Sequence, residues 1–287
     1  MSVCHRTLAQ PSSAQAVQRK TQSSFKARFA RIWRTLLFAF ALCHAASAPG
    51  LVLEWNSASY SAGSLTAFFE LDSSNPGADV SIVITGDTSY FINSTPNDTT
   101  DLTGGQGGSQ QSLWLAVNFP SRNDTITITV NFHYAQGVSD VDFMLFDIDR
   151  GDGSYRDYIT QIYAQYDAGT PLAPTSVTGS SDNTVSGSGT NRTIRGDESV
   201  DSDDNDGNAT IDYGTNILNS FTFTYGDHSS APSNPGQQWI GLYDINFTPR
   251  PRIPETHPAL FAAAFCVGAV FLKRRGWLAR NTTRSKS

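Results

Sequence analysis

Eleven residues, DIDRGDGSYRD, carry four carboxylates: Asp147, Asp149, Asp152 and Asp157. Ca2+ takes about six to eight oxygens from carboxylates, carbonyls and water. An extended strand end would deliver Asp147 and Asp149 to one face, and the turn after it would add Asp152 and Asp157. These four are the candidate Ca2+ ligands. The EF-hand register is not met, because Gly153 falls one place late and no Glu closes the loop. The competing reading is an Asp/Gly turn in which Asp149 pairs with Arg150 or Arg156. A second acid run, Asp201, Asp203, Asp204, Asp206 and Asp212, reads as a solvated loop. The sequence leaves open whether the two runs share one ion.

Other chemistry finds less support. His133 and His228 are the only histidines between residues 49 and 250, and no G-x-S-x-G elbow is present. Two facing carboxylates can hydrolyse a glycoside, but nothing singles out an Asp pair. The only Glu residues before Glu255 are Glu54, Glu70 and Glu198. The expectation is a protein that is not an enzyme. Trp55, Trp114 and Trp239 offer rings for stacking on sugars, although strand aromatics are more often core. Arg150-Gly-Asp152 and Arg195-Gly-Asp197 spell an adhesive tripeptide, read here as a by-product of turns rich in those residues.

The elements that must position these residues are strands. Val80, Ile82 and Ile84 alternate with polar or small residues, as do Ile126, Ile128, Val130 and Phe132, then Phe221, Phe223 and Tyr225. Period-two alternation with no long amphipathic helix predicts antiparallel strands with one buried face. Roughly ten such runs fall near 51–55, 65–71, 80–85, 113–119, 125–132, 141–148, 158–164, 209–213, 217–225 and 238–247. The fold class is therefore all-β: an antiparallel two-sheet β-sandwich, jelly-roll-like, flanked by an N-terminal signal helix and a C-terminal hydrophobic helix. Residues 170–208 read as one long Gly/Ser/Asn/Asp loop, with Ile194 and Val200 marking a small hairpin inside it.

Charge divides the chain into three. Residues 1–53 and 273–287 contain bases and no acids, while the middle holds seven bases, all Arg, against all 26 acids, a net −19. Such a domain does not bind nucleic acid through phosphate contacts. All three cysteines, Cys4, Cys43 and Cys266, lie in the two ends, so the middle has no disulfide.

Residues 1–48 read as a signal peptide for the general secretion machinery. Lys26, Arg28, Arg31 and Arg34 precede the apolar run 35–44, and Ala46 and Ala48 form an A-x-A cleavage pattern. The acidic β-sandwich domain follows at 49–249. In the tail, 250–287, Pro254-Glu255-Thr256 precedes a hydrophobic helix at 259–272 and then Lys273-Arg274-Arg275. Fourteen apolar residues are short for a permanent span.

This tail resembles the PEP-CTERM sorting signal of Gram-negative bacteria, with Thr256 where the family usually has a second Pro. The resemblance implies processing by a membrane protease, exosortase, and transient membrane association through the C-terminal helix. A second resemblance lies in Phe143–Asp149, Arg156–Ile159, Phe221–Gly226 and Ile240–Phe247, which look like a β-sandwich module of bacterial surface proteins without enzymatic activity. The leading expectation is a non-enzymatic cell-surface or extracellular-matrix protein with a role toward extracellular polysaccharide. The alternative is a Ca2+-dependent carbohydrate-binding module, and a glycoside hydrolase stands behind both.

Overall fold

A computed structural model of the chain describes residues 49–251, apart from 76 and 168. The signal peptide with Ala46 and Ala48, and the sorting tail with Pro254, Glu255, Thr256, Lys273, Arg274, Arg275 and both terminal helices, lie outside the described residues. Among those described, no helix is long and apolar enough to cross a membrane.

Fifteen strands follow in order: β1 (Leu51–Leu53), β2 (Thr66–Phe69), β3 (Val80–Gly86), β4 (Asn97–Thr99), β5 (Ser112–Val117), β6 (Thr125–Phe132), β7 (Val138–Phe146), β8 (Arg150–Gly151), β9 (Tyr155–Gln165), β10 (Ser176–Gly179), β11 (Asn183–Ser186), β12 (Thr193–Gly196), β13 (Ala209–Asp212), β14 (Ser220–Asp227) and β15 (Gln238–Pro249). Each of the ten predicted runs overlaps one of these strands. In β6 the burial alternates residue by residue, as TITITVNF requires when one face meets the core.

The strands form two antiparallel sheets. The first runs β10-β13-β7-β15-β5-β4, with β1 also on β15. The second runs β11-β12-β9-β14-β6-β3-β2, with β8 on β9. Pairing is first with last: β5 with β15, β6 with β14, β7 with β13 and β9 with β12. That nesting is the jelly-roll order. One apolar cluster joins the sheets. Phe143 of β7 stacks on Phe221 of β14 with ring centroids 4.2 Å apart, and Phe132 of β6 meets Phe247 of β15 at 4.9 Å.

The region read as one loop, 170–208, is instead part of both sheets. It supplies β10 to the first and β11 and β12 to the second. The hairpin inside it is β11–β12, built on Val185 opposite Ile194. Val200 lies outside that hairpin, and its N–H donates to Asp149 Oδ2 at 3.2 Å. These strands have four residues each and a single buried apolar side chain or none, too little for alternation to show.

Candidate functional site: an acidic corner and the groove beside it

β7 ends at Phe146, and the next residue, Asp147, has φ +60°. A non-Gly residue in this left-handed region is uncommon. It ends the regular strand alternation at the first of the two carboxylates expected on one face. The Asp147 carboxylate accepts a hydrogen bond from the Trp239 indole of β15. Asp149 lies against Asp157 of β9, whose Oδ2 accepts from the Asp149 N–H at 3.1 Å. Tyr225 O–H donates to Asp157 Oδ1 at 2.8 Å, and the Asp149 and Asp157 carboxyls lie side by side.

Burial shapes the electrostatics. Asp147, Asp149 and Asp157 are 6%, 3% and 0% exposed. Loss of hydration, then the Asp149 charge, push the Asp147 carboxyl up to about 8, with Asp201 acting in the same direction and the Trp239 hydrogen bond opposing. Burial raises Asp149, and burial with the Asp149 charge beside it raises Asp157 further. Neither arginine relieves them. Arg150 pairs with Glu198 at 3.0 Å, and Arg156 pairs with Asp197 at 2.7 Å, so the expected Asp149–arginine pair does not form. Arg195 also bonds Asp197, leaving the tripeptide 195–197 engaged within the fold.

Of the four residues read as Ca2+ ligands, three are brought together. Asp152 is exposed in the turn between β8 and β9. The second acid run, however, meets the first. Ile148 N–H donates to Gly207 O at 2.9 Å, and a Cβ on Gly207 would stand 3.2 Å from Asp147 Cα. A third segment closes the corner. Thr103 and Gly104 N–H both donate to Ser202 O, at 3.2 and 3.1 Å, and Asn208 Nδ2 donates to Gly104 O at 2.8 Å. Gly104 has φ +51°, and a Cβ there would strike the Phe146 ring at 2.3 Å, so only glycine lets this segment lie so close to β7. Two buried oxygens in the corner have no hydrogen-bond partner: Asp147 Oδ1 and Asn208 Oδ1, with Asn208 only 7% exposed. Among the described residues no group of three or more His, Cys, Asp or Glu side chains is arranged to hold a metal ion.

Beside the corner, the outer face of the first sheet carries two depressions that share Thr210. One, of about 340 Å³, is lined by Asp140, Asp142, Thr210, Asp212 and Gly214. The other, of about 400 Å³, takes in Gln106, Met144, Thr178, Ser180, Asn205, Asp206 and Asn208. Register accounts for the lining, since Thr210 pairs with Met144 and Asp212 with Asp142 on adjacent strands. Asn246 Nδ2 holds Asp142 Oδ1 at 2.9 Å. Trp114 and Trp239 lie on the same sheet face, edge to face at 6.5 Å, while Trp55 is fully buried against Phe69 and belongs to the core. Asn208 and the 102–104 segment were not legible as site residues, and Trp239 was legible only as a ring for stacking on sugars. An Asn at a strand start and a Gly-rich loop are ordinary turn signals.

No family model matches the sequence, and no curated protein matches it. Among solved structures, the chain is similar to a mannan-recognising carbohydrate-binding module, TmCBM27, at 11% identity over 71% of this chain and 100% of that one, with a TM-score of 0.31. A carbohydrate-binding module specific for non-crystalline cellulose, CBM28, aligns at 9% identity over 49% and 76% of the two chains, TM-score 0.29. The N-terminal domain of the Streptococcus gordonii adhesin Sgo0707 aligns at 12% identity over 57% of this chain, TM-score 0.30. This chain spans 41% of that adhesin domain's length. Likenesses this loose carry no argument about what the chain binds.

Proposed function

We propose that this chain is an exported, non-enzymatic surface or matrix domain that binds a polysaccharide along the groove on its first sheet. The observation behind this reading is the groove itself. Asn205, Gln106, Ser180, Thr178 and Thr210 supply amide and hydroxyl groups that match sugar hydroxyls, and Met144 supplies an apolar floor. The carboxylates of Asp140, Asp142, Asp212 and Asp206 disfavour a polyanion by like-charge repulsion, so the ligand is a neutral or amino-bearing glycan.

Affinity electrophoresis through neutral polysaccharides tests it. The protein is retarded by at least one of them. Thr210→Trp, which fills the point where the two depressions meet, weakens that retardation at least about tenfold with little change in melting temperature. A variant that binds as well as the original, or no retardation by any glycan, removes the reading. Asp142 and Asp212 face each other across the β7–β13 pairing, so release of reducing ends is assayed in parallel, and its appearance would favour a hydrolase.

Export and sorting belong to the same proposal. The general secretion machinery removes residues 1–48, and an exosortase acts on the tail at Pro254-Glu255-Thr256, with Lys273-Arg274-Arg275 held in the cytoplasm. Mass spectrometry of the mature protein is expected to find a new N-terminus after Ala48 and a shortened C-terminus. Recovery of both original ends contradicts it.

A further inference from the structure

We propose that one Ca2+ ion is held where the Asp147 turn, the Val200–Asn208 segment and the Leu102–Gly104 segment meet, by side-chain oxygens of Asp147, Asp201 and Asn208 completed by water and main-chain carbonyls. This set differs from the one that spacing alone picks out. The Asp149 and Asp157 carboxylates already accept hydrogen bonds, Asp149 from Val200 N–H and Asp157 from Asp149 N–H and Tyr225 O–H, and Asp152 is exposed in a turn.

Two side chains more than nine-tenths buried each leave an oxygen without a partner, Asp147 Oδ1 and Asn208 Oδ1. A buried acceptor without a donor is costly, and native folds satisfy nearly all of them. Hydrogen bonds tie the three segments into one corner. Gly207 O takes the Ile148 N–H, Gly104 O takes the Asn208 amide, and Ser202 O takes two N–H groups from Thr103 and Gly104. Asp201, next to Ser202, acts electrostatically on Asp147. Every donor offered is a hard oxygen, two of them anionic, and the ligands sit on loops. That suits Ca2+, which accepts irregular oxygen shells, better than Mg2+, which demands a near-ideal octahedron.

The site reaches beyond its own stability. Asn205, Asp206 and Asn208 line one end of the groove, so the ion would fix that end. The inference does not rest on polysaccharide binding, because it is measured with the metal alone. Chelator-stripped full-length protein is melted at pH 7 with CaCl2 or MgCl2. At a hundredfold excess of Ca2+ over its dissociation constant the melting temperature rises by roughly 5–10 °C, and Mg2+ gives less. Tb3+ in place of Ca2+ luminesces when tryptophan is excited, and Trp239→Phe removes most of that emission, since this indole donates to Asp147. Asp147→Asn and the exposed Asp201→Asn each need at least tenfold more Ca2+ for the same rise, while Asp152→Asn responds like the parent. No Ca2+-dependent rise, or an unchanged response in Asp147→Asn and Asp201→Asn, overturns the proposal. Ca2+ stabilisation without retention by any glycan leaves the ion site standing and removes the groove reading.

Discussion

In chelator at pH 8, Asp147→Asn melts about 10 °C higher than the parent, and at pH 4 the two melt nearly together. The sign follows from linkage. An acid whose pKa is raised by folding binds its proton more tightly in the folded chain than in the unfolded one. Its contribution is therefore fully favourable below the unfolded value, near 3.8, and is lost as pH rises toward the folded value of about 8. Ionising Asp147 inside the corner costs on the order of 3–5 kcal/mol over that window. Asparagine keeps an acceptor for the Trp239 indole and never ionises. Asp227, pushed up to about 6 by burial, acts in the same direction between pH 4 and 6, and the raised Asp149 and Asp157 add to it with the same sign. The parent is accordingly most stable in mild acid. Melting curves from pH 4 to 8 check this, and an equal loss in Asp147→Asn at both ends of the range would contradict it.

The second large effect is expected at Phe221. Its ring stacks on Phe143 across the two sheets at 4.2 Å and lies 6.1 Å from Phe132 and 6.3 Å from Tyr213. It is fully buried, and its backbone is bonded on both sides, to Val130 and Ala164. Two sheets pinned in this way cannot collapse into the space a ring leaves. Phe221→Ala is expected to cost about 3–5 kcal/mol, near the upper range for a core aromatic, and to lower the melting temperature by roughly 10–15 °C. Phe221→Leu restores most of the volume and costs less than half as much, since aliphatic replacement preserves burial but not stacking. Urea unfolding at pH 5, where the acidic corner is least strained, separates the two variants.

Much of the fold was written in the period-two pattern. Ile126, Ile128, Val130 and Phe132 mark β6, and Phe221, Phe223 and Tyr225 mark β14, because each inward position must be apolar over a strand of eight residues. β4 (Asn97-Asp98-Thr99) and β11 (Asn183–Ser186) escape the same test. Each is a short edge strand, where no face needs to be continuously apolar and pairing comes from the backbone. The acid runs were visible as residues, but their meeting was not. Asp147 and Gly207 lie sixty positions apart and touch only because β7 and β13 pair. The left-handed turn at Asp147 left no trace in the alternation either. The charged pairs show the same limit. Arg150 and Arg156 follow Asp149 by one and seven residues, yet alternation along β9 and the β12 neighbour hand Arg156 to Asp197.

The pairing of β1 with β15 sets how the domain can be displayed. Leu51 lies opposite Phe247, so the polypeptide enters the sandwich beside the place where it leaves. Trp239 and the acidic corner lie at the other end of β15, about 30 Å from Pro249 at a strand's rise per residue. Of the two depressions, the one around Asp142 sits near Asn246 and the exit, while the one around Asn208 sits toward Trp239. The two depressions therefore follow one another along the sheet, from the end where the chain enters and leaves toward the end that carries Trp239 and the acidic corner. A linear ligand spanning both depressions would lie parallel to β15, with one end beside the chain termini of the sandwich and the other beside Trp239.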